Sequence, residues 1–369
     1  MSLKNPLILL IDANALIHRA YHAIPPLTSS SGEPTNATFG FTSTLLKALR
    51  DFQPSCVAVA FDAGRSFRHD EYAEYKAQRA KAPDDLVVQL NRSQDIAKAF
   101  GIPVYALPRY EADDVLATLA EQAQAKGIEV IIVTGDTDVF QLVNPNIQVY
   151  MVGRKFSEGA LYNAAQIQER YGLTPEQLVD LKGLCGDPSD NISGISGVGE
   201  KTATRLLQQY GSIEGIYEHL EEIELRWRQK LEAERVQAFQ GKHLVQLNRE
   251  VPIALDLEAC RTQNYDRQRV TALFRQLGFY SLLARLPEKE QPKQQLSLFA
   301  EAEVEATGPA IPTQGDYRTV DTATALDALA SELAQAGAFA LDVETTSLDP
   351  LQGTLVGISL TARPGQAYY

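Results

Sequence analysis

Cysteine, histidine and long apolar runs are scarce in this 369-residue sequence, and each shortage excludes a class of protein. The three cysteines, Cys56, Cys185 and Cys260, are odd in number and lack C-x-x-C spacing, which argues against a disulfide framework and a structural zinc site. The five histidines are scattered and form no metal-ligand cluster. No apolar run approaches the ~18 residues that cross a bilayer, and the sequence starts without signal-peptide organisation. We therefore expect a cytoplasmic protein with no membrane partner.

Basic residues are also in short supply. The chain has 34 Lys+Arg against 47 Asp+Glu, a formal net charge of −13. Taken alone, this excess of acid argues against a nucleic-acid partner.

Three short apolar segments in the first half of the chain each run into an aspartate. They are residues 7–11 before Asp12, 57–61 before Asp62, and 130–134 before Gly135-Asp136. Such short, β-branched-rich segments are typical of central strands in a parallel sheet. Helical patterns lie between them, so residues 1–170 are predicted to form an α/β, doubly wound, mostly parallel sheet. Ligands of such sheets bind beyond the carboxyl ends of the strands, where these aspartates lie.

The rest of the chain differs in composition. Helical patterns dominate residues 171–286, which are predicted to be an all-α domain. Residues 287–315 are polar, with little apolar periodicity, and are predicted to be a flexible linker. Residues 316–369 contain two more strand patterns but form a small segment for an independent domain, and we expect them to be a truncated, poorly packed piece.

Further carboxylates accompany the strand-end aspartates. A single acid in such positions is usually a helix cap, a turn residue or a solvated side chain. The set is harder to explain in that way, because adjacent parallel strands would bring at least four of its members to one edge of the sheet. The nine candidates are Asp12, Asp62, Glu111, Asp113, Asp114, Asp136, Asp138, Asp187 and Asp190.

Oxygen ligands without a histidine or cysteine cluster favour hard divalent cations over zinc. Because seven or more carboxylates exceed the need of one octahedral ion, two Mg²⁺ or Mn²⁺ ions are predicted. Two-metal sites stabilise the attacking and leaving oxygens of an in-line displacement at phosphorus, so the predicted chemistry is phosphodiester hydrolysis by metal-activated water.

Two further segments suit a nucleic-acid substrate. Residues 65–81 contain five Lys/Arg with interleaved aromatics, which can neutralise phosphates and stack on unpaired bases. An ordinary solvated helix is the alternative, and it would be preferred without the carboxylate set. Residues 194–202 form a glycine-rich turn before a helix, which can present backbone N–H groups to a phosphate. On this pattern alone, a plain helix–turn–helix connection fits equally well.

The ordered motifs resemble a specific family. Six of them occur in the order seen in the 5′-nuclease region of the bacterial DNA polymerase I family, a relative of flap endonucleases. The resemblance covers about residues 5–286, and its motifs are Leu10-Ile-Asp-Ala-Asn14, Phe61-Asp62, Tyr110-Glu-Ala-Asp-Asp-Val115, Thr134-Gly-Asp-Thr-Asp138, Gly186-Asp-Pro-Ser-Asp-Asn191 and Gly197-Val-Gly-Glu-Lys-Thr202.

The resemblance implies a PIN-like nuclease core followed by a helix-hairpin-helix-type duplex-binding domain. It implies that the nine carboxylates line a two-metal site, and that Asp136, Asp138, Asp187 and Asp190 serve mainly the second ion. It gives Lys76 and Arg79 the role of active-site cations on the scissile phosphate. Residues 65–81 resemble an arch for a 5′ single strand, and the 194–202 turn would grip the duplex, with a monovalent cation bound there. The implied DNA contacts are Arg65, Arg68, Tyr72, Tyr75, Gly194, Gly197, Gly199, Lys201 and Thr202.

The C-terminal segment resembles a second nuclease. Asp342-Val-Glu344 matches the first motif, D-x-E on an opening strand, of an RNase-H-like 3′-5′ exonuclease domain. The other carboxylates of that domain and a polymerase domain are absent from this sequence, so neither proofreading nor polymerase activity is expected of it.

The sequence therefore predicts a monomeric, metal-dependent 5′-3′ exonuclease and flap endonuclease acting on DNA in replication and repair. A DNA-junction-binding module without turnover is one alternative, although no motif carboxylate is missing. A PIN-type ribonuclease is another, but it does not explain the helical hairpin domain.

The net charge does not exclude this prediction. Residues 287–309 and 310–369 contribute −3 and −5, which leaves −5 for residues 1–286. Without the nine proposed ligands the remainder of that region sums to +4, so a mildly basic DNA-facing surface is expected.

Overall fold

The computed structural model describes residues 6–153, 159–262, 265–287, 316–345, 354–363 and 366–369. The chain divides into two compact units, Met1–Glu290 and Gln291–Tyr369. The predicted linker therefore lies, beyond Pro287, outside the described residues.

A six-stranded sheet forms the centre of the first unit. The strand order is β3-β2-β1-β4-β5-β6, parallel throughout except for β6, which pairs antiparallel with β5. Its strands are β1 (Leu7–Asp12), β2 (Cys56–Ala60), β3 (Val104–Tyr105), β4 (Glu129–Thr134), β5 (Ile147–Val152) and β6 (Gly159–Tyr162). The three predicted strands are thus neighbours, and their carboxyl ends meet at one edge.

Helices cover both faces of this sheet. One face packs with the helix that precedes β4 and with the helical region, and the opposite face packs with the first helices and with the helices near residue 280. Burial on both faces explains why β1 and β2 are apolar at almost every position. The helices up to β6 are α1 (Ala13–Ala23), α2 (Asn36–Phe52), α3 (Arg68–Glu71), α4 (Asp84–Ala99), α5 (Ala112–Ala125) and a 3-10 helix at Asp138–Leu142.

Most of the regular structure between residues 164 and 283 is helical. Two short strands, β7 (Gly186–Asp187) and β8 (Ile192–Ser193), form a small antiparallel ribbon within this region. The helices are α6 (Ala164–Tyr171), α7 (Gln177–Cys185), α8 (Glu200–Tyr210), α9 (Ile213–Glu218), a 3-10 helix at Leu220–Glu222, α10 (Leu225–Ala233), α11 (Arg235–Val245), α12 (Arg267–Leu277) and α13 (Tyr280–Leu283). The predicted doubly wound sheet followed by a helical region is confirmed.

The second unit contains a four-stranded sheet and one helix. The strand order is β10-β11-β12-β9, with β10, β11 and β12 antiparallel in succession and β12 parallel to β9. Among its described side chains only Leu329 and Tyr368 are buried, so the segment has little core of its own, as expected. Its elements are β9 (Asp316–Arg318), α14 (Ala323–Gln335), β10 (Ala340–Thr345), β11 (Leu355–Thr361) and β12 (Gln366–Tyr368).

Within the part of the chain that the structure describes, none of the helices combines the length and the apolar character that a membrane span requires.

Candidate metal centre

The carboxyl ends of β1 and β2 hold two aspartates in fixed positions. Asp12 caps α1 by accepting a hydrogen bond of 3.0 Å from the backbone N–H of Ala15, and it accepts another of 2.6 Å from the Thr134 hydroxyl. Asp62 accepts a hydrogen bond of 2.7 Å from the backbone N–H of Ala112, the first residue of α5. These donors hold both carboxylates at the edge of the sheet.

Asp113 and Asp136 complete this first group. Asp113 lies in the first turn of α5, and its Oδ1 atom is buried without a hydrogen-bond partner in the described part of the chain. Asp136 follows β4 and accepts a hydrogen bond of 3.0 Å from the backbone N–H of Asp138. Asp12, Asp62, Asp113 and Asp136 are called the strand-edge group below.

Burial and mutual repulsion shift pKa values within the strand-edge group. Burial raises the pKa of Asp113 well above its usual value, and repulsion from Asp12 and Asp136 raises it further. Burial also raises the pKa of Asp12 to about 7, with additional repulsion from Asp62 and Asp136. These carboxylates therefore converge as predicted, and they repel one another in the absence of a cation.

A second group lies where the 3-10 helix meets the β7–β8 ribbon. Oxygen atoms of Asp138, Asp187 and Asp190 lie within 4.8 Å of one another, and these three residues are called the loop group below. Ser189 fixes Asp187 by donating hydrogen bonds of 2.9 Å from its backbone N–H and 2.6 Å from its hydroxyl.

Side-chain cations contact every member of the loop group. The Lys182 ammonium, from the last turn of α7, donates to Asp138 and, at 2.6 Å, to Asp187. Arg79 forms an ion pair of 2.6 Å with Asp190. Although burial alone would raise the pKa of Asp187, Lys182 and Ser189 hold it below its usual value.

The Lys76 side chain lies between Glu111 and Asp190 of the loop group. Its ammonium is 2.7 Å from Glu111 Oε1 and 3.6 Å from Asp190 Oδ2. The Tyr75 hydroxyl lies 2.9 Å from Glu111 Oε2 and 3.0 Å from Asp190 Oδ2. Tyr75 is thus buried against the carboxylates rather than exposed for base stacking, which differs from its predicted role as a DNA contact.

The backbone around Lys76 is tied to the loop group. Lys76 adopts a left-handed conformation with φ 54°, and its N–H donates to the Asp190 carbonyl at 2.9 Å. Asn191 is also left-handed, with φ 58°, and its side-chain amide donates to the Glu74 carbonyl at 2.7 Å. The predicted active-site cations and the loop group therefore form one connected structure.

Two predicted site residues have a different environment from the one expected. Arg68, predicted to contact DNA, is 1% exposed and makes a bidentate pair with Asp114, with N–O distances of 2.7 and 2.8 Å. Asp114, predicted to be a metal ligand, is 0% exposed, and its Oδ1 also accepts from the Asn248 backbone N–H. Both of its oxygens are occupied, so the pair stabilises the junction between α5 and the segment after α11 instead of facing a ligand.

The remaining predicted DNA contacts lie outside the carboxylate cluster. Arg65 is exposed and Tyr72 is half-buried, on the segment between β2 and α4. Lys201 is exposed and Thr202 is half-buried in the first turn of α8.

The three glycines of the 194–202 turn have different structural surroundings. A Cβ on Gly194 would lie 2.0 Å from the Cys185 carbonyl carbon, so close packing on α7 requires glycine there. Gly197 has φ +76°, which its turn requires, and Gly199 is the open N-cap of α8. Of the three, only Gly199 has open space at its Cβ, where a phosphate could approach the backbone.

The second unit carries the D-x-E motif. Asp342 and Glu344 lie on β10, are both exposed, and are two residues apart on one face of the strand.

Sequence reasoning missed Lys182. It is the single basic residue in α7 and lies five positions before Asp187, and that spacing was a usable signal.

The comparisons with known proteins agree with this arrangement. Residues 7–172 match the family model of the 5′-3′ exonuclease N-terminal resolvase-like domain, and residues 173–268 match that of the 5′-3′ exonuclease C-terminal SAM fold. The chain belongs to the 5′-3′ exonuclease family. Residues 317–369 match a 3′-5′ exonuclease model.

Curated relatives extend the family assignment. A DNA polymerase I from Chloroflexus aurantiacus is 43% identical over 391 residues, covering 99% of this chain and 41% of that protein. A DNA polymerase I from Bacillus subtilis is 40% identical over 290 residues, covering 78% of this chain and 33% of that protein. The chain thus spans about two fifths or less of the length of these relatives.

Solved structures share the fold at lower identity. The T5 D15 protein, co-crystallised with metal ions, has a TM-score of 0.57 and 22% identity, covering 66% of this chain and 90% of that one. The catalytic core of Rad2 in complex with DNA substrate has a TM-score of 0.50 and 19% identity, covering 74% and 88%. Together with the family models, these similarities confirm a PIN-like nuclease fold followed by a helical domain.

Proposed function

We propose that the first unit hydrolyses phosphodiesters of DNA at 5′ ends and 5′ flaps with two divalent metal ions, Mg²⁺ or Mn²⁺. The observation that carries this proposal is the meeting of the strand-edge group and the loop group at one edge of the sheet, with Lys76 and Arg79 beside them.

The residues fit divalent ions. The donors are all carboxylate oxygens, and the buried Oδ1 of Asp113 has no partner among the described residues. A bound cation would also relieve the mutual repulsion within the strand-edge group. We assign the first ion to the strand-edge group together with Glu111, and the second to the loop group, with Asp136 positioned to serve either.

When bound, the ions supply a water nucleophile at neutral pH and stabilise charge on the phosphate oxygens. The protein contributes the rest. Backbone and hydroxyl donors fix Asp12, Asp62 and Asp187 before any substrate arrives, so the reaction requires little rearrangement of these ligands. Lys76 and Arg79 are placed to neutralise the scissile phosphate once their present carboxylate partners bind metal.

DNA binding is proposed from the position of basic and backbone donors around this edge. Arg65 and the turn at Gly199 and Lys201 are exposed and can contact phosphates without reading sequence. The Rad2 core of similar fold is described as bound to DNA substrate, which supports the same class of ligand here. A monovalent cation at residues 194–202 and a monomeric state remain part of the proposal.

The wider role is also a proposal. As relatives of 40% identity are DNA polymerases I, we propose that this nuclease acts in DNA replication and repair as part of such an enzyme. Asp342 and Glu344 are proposed as metal ligands of a 3′-5′ exonuclease of which residues 317–369 represent the start.

The test is cleavage of a 5′-flap DNA with Mg²⁺, with EDTA as the blank. Asp113→Asn and Asp138→Asn should abolish cleavage, whereas Glu169→Gln, which removes an exposed carboxylate on α6, should cleave like the wild type. Tight flap binding without cleavage in Mg²⁺ or Mn²⁺ would instead indicate a junction-binding module. Preference for an RNA flap would indicate a ribonuclease.

A further inference from the structure

Lys182 holds a position that the nuclease proposal does not explain. It extends from the last turn of α7, and its ammonium donates hydrogen bonds to two of the three carboxylates of the loop group, Asp138 and Asp187. Its side chain is 25% exposed, so most of it lies within the protein and not on the surface where DNA would bind. Helix α7 therefore places a positively charged side chain among the carboxylates of the loop group.

The same carboxylates are the proposed ligands of the second metal ion. Oxygens of Asp138, Asp187 and Asp190 lie within 4.8 Å of one another, which suits a single divalent ion with ligand distances of about 2.0–2.6 Å. An ammonium that hydrogen-bonds to Asp138 and Asp187 already occupies acceptor positions that such an ion needs. The two cations also repel each other strongly at this range.

We propose that Lys182 is a built-in counter-cation of the loop group, which neutralises it when no second ion is bound and competes with that ion for Asp138 and Asp187. This proposal rests on the proposed two-ion site and adds that the affinity of its second ion is set by displacement of a side chain. Lys182 is a positioning residue in this scheme, because it acts through the carboxylates and not on the substrate.

The strand-edge group provides the internal contrast. Within the described residues, no lysine or arginine forms an ion pair with Asp12, Asp62 or Asp113. Lys76 pairs with Glu111 at 2.7 Å, so an ion entering there competes with a side-chain cation for Glu111 but not for these three aspartates. The two ions should therefore bind with unequal affinity, the weaker one at the loop group.

Lys242 offers a matched control. It is 23% exposed and pairs with two carboxylates, at 2.7 Å from Asp180 and 2.7 Å from Glu214, but neither belongs to the metal cluster. Lys242→Met removes the same charge and the same kind of ion pair from the same helical region. Lys182→Arg keeps the positive charge at the loop group.

The experiment is a calorimetric Mn²⁺ titration of the full chain as wild type, Lys182→Met, Lys182→Arg and Lys242→Met. Lys182→Met should tighten the weaker Mn²⁺ site by about tenfold or more, because the competing charge is gone. Lys182→Arg and Lys242→Met should leave that affinity within about twofold of the wild type. An unchanged or weaker second affinity in Lys182→Met overturns the proposal.

Thermal unfolding gives a readout that does not depend on activity. In EDTA, Lys182→Met should melt below the wild type, because Asp138 and Asp187 lose a neutralising partner. The rise in Tm on adding Mg²⁺ should be larger in Lys182→Met than in the wild type, and in Lys242→Met it should equal the wild-type rise. Equal Mg²⁺-dependent rises in all variants overturn the proposal.

The same Mn²⁺ titration also tests the proposed two-ion site on which this inference rests. If the wild type binds one Mn²⁺ and Asp187→Asn changes nothing, the loop group holds no ion in the wild-type protein. In that case a second Mn²⁺ gained by Lys182→Met would still support the competition, and no gain would overturn it.

Discussion

The strand-edge group and the loop group contain the same kind of side chain but are stabilised in different ways. The strand-edge carboxylates are held by backbone N–H groups and the Thr134 hydroxyl, and burial and repulsion raise the pKa values of Asp12 and Asp113. The loop carboxylates contact Lys182 and Arg79. Without metal, the described members of the first group therefore lack side-chain cations in direct contact, whereas those of the second have them, although burial and Asp136 still raise the pKa of Asp138 to about 7. Loss of one carboxylate should have different consequences where a cation partner is lost with it.

The largest expected effect is on cleavage, where the two groups should behave alike. Asp113→Asn and Asp138→Asn each remove a proposed ligand, and the rate of 5′-flap cleavage should fall by more than about a hundredfold. Single-turnover kinetics at saturating enzyme would measure it. Wild-type rates in either variant would remove that residue from the metal site.

The buried ion pair with Arg68 neutralises Asp114, which lies next to the repelled carboxylate of Asp113. Removing one partner of this buried pair by Arg68→Met should cost about 3–5 kcal/mol of unfolding free energy, because Asp114 is left buried and unpaired. Urea denaturation would measure the loss. The double variant Arg68→Met/Asp114→Leu should recover part of it, and a double variant as unstable as the single one would contradict this explanation.

Lys76 and Arg79 link the two groups to the substrate. Lys76→Ala and Arg79→Ala should each lower kcat by about 10–100-fold with a smaller change in KM, if they act on transition-state charge. Rates across a range of salt concentrations distinguish the alternative. A loss confined to KM and relieved at low salt would make them simple phosphate contacts.

The smallest predicted effect is on the unfolding free energy of the metal-free protein, and its sign should differ between the two groups. In EDTA at neutral pH, Asp113→Asn should raise the unfolding free energy by about 1 kcal/mol, because it removes an unpaired, repelled charge. Asp187→Asn should lower it by a similar amount, because it breaks the contact with Lys182. Changes of the same sign would contradict the distinction between the groups.

The pH dependence of the metal-free protein should reflect one carboxyl from each group, because the pKa is raised in both. A carboxyl whose folded pKa is raised binds its proton more tightly in the folded state, so its contribution to stability is lost as pH rises from about 4 towards the folded value. Since the pKa of Asp12 and that of Asp138 are each raised to about 7, stability in EDTA should fall between about pH 4 and 7. Asp12→Asn should flatten this fall in a series of melting curves.

Much of this site follows from local pattern. Apolar segments that end in aspartate predict adjacent parallel strands, and parallel strands bring their carboxyl ends together, which places Asp12, Asp62 and Asp136. The helical pattern predicted before the third apolar segment is observed as α5. Which carboxylates bind which ion stays a prediction.

Other features depend on contacts that no local pattern contains. Asp113 and Asp114 are neighbours in the sequence, yet successive helix positions point about 100° apart, so one faces the cluster and the other faces Arg68. Arg68 is buried because it also donates to the carbonyls of Leu244 and Gln246, far along the chain. Lys182 reaches the loop group because the β7–β8 ribbon folds back beside the end of α7.

The packing of the central sheet decides where this chain can be shortened. Val270, Phe274 and Leu282, from α12 and α13, share a buried cluster with Leu9 of β1. A protein ending near residue 262 would keep every nuclease motif yet leave one side of the sheet open to water, and would aggregate or melt early. The minimal independently stable nuclease therefore extends to about residue 286, beyond the residues that carry the chemistry.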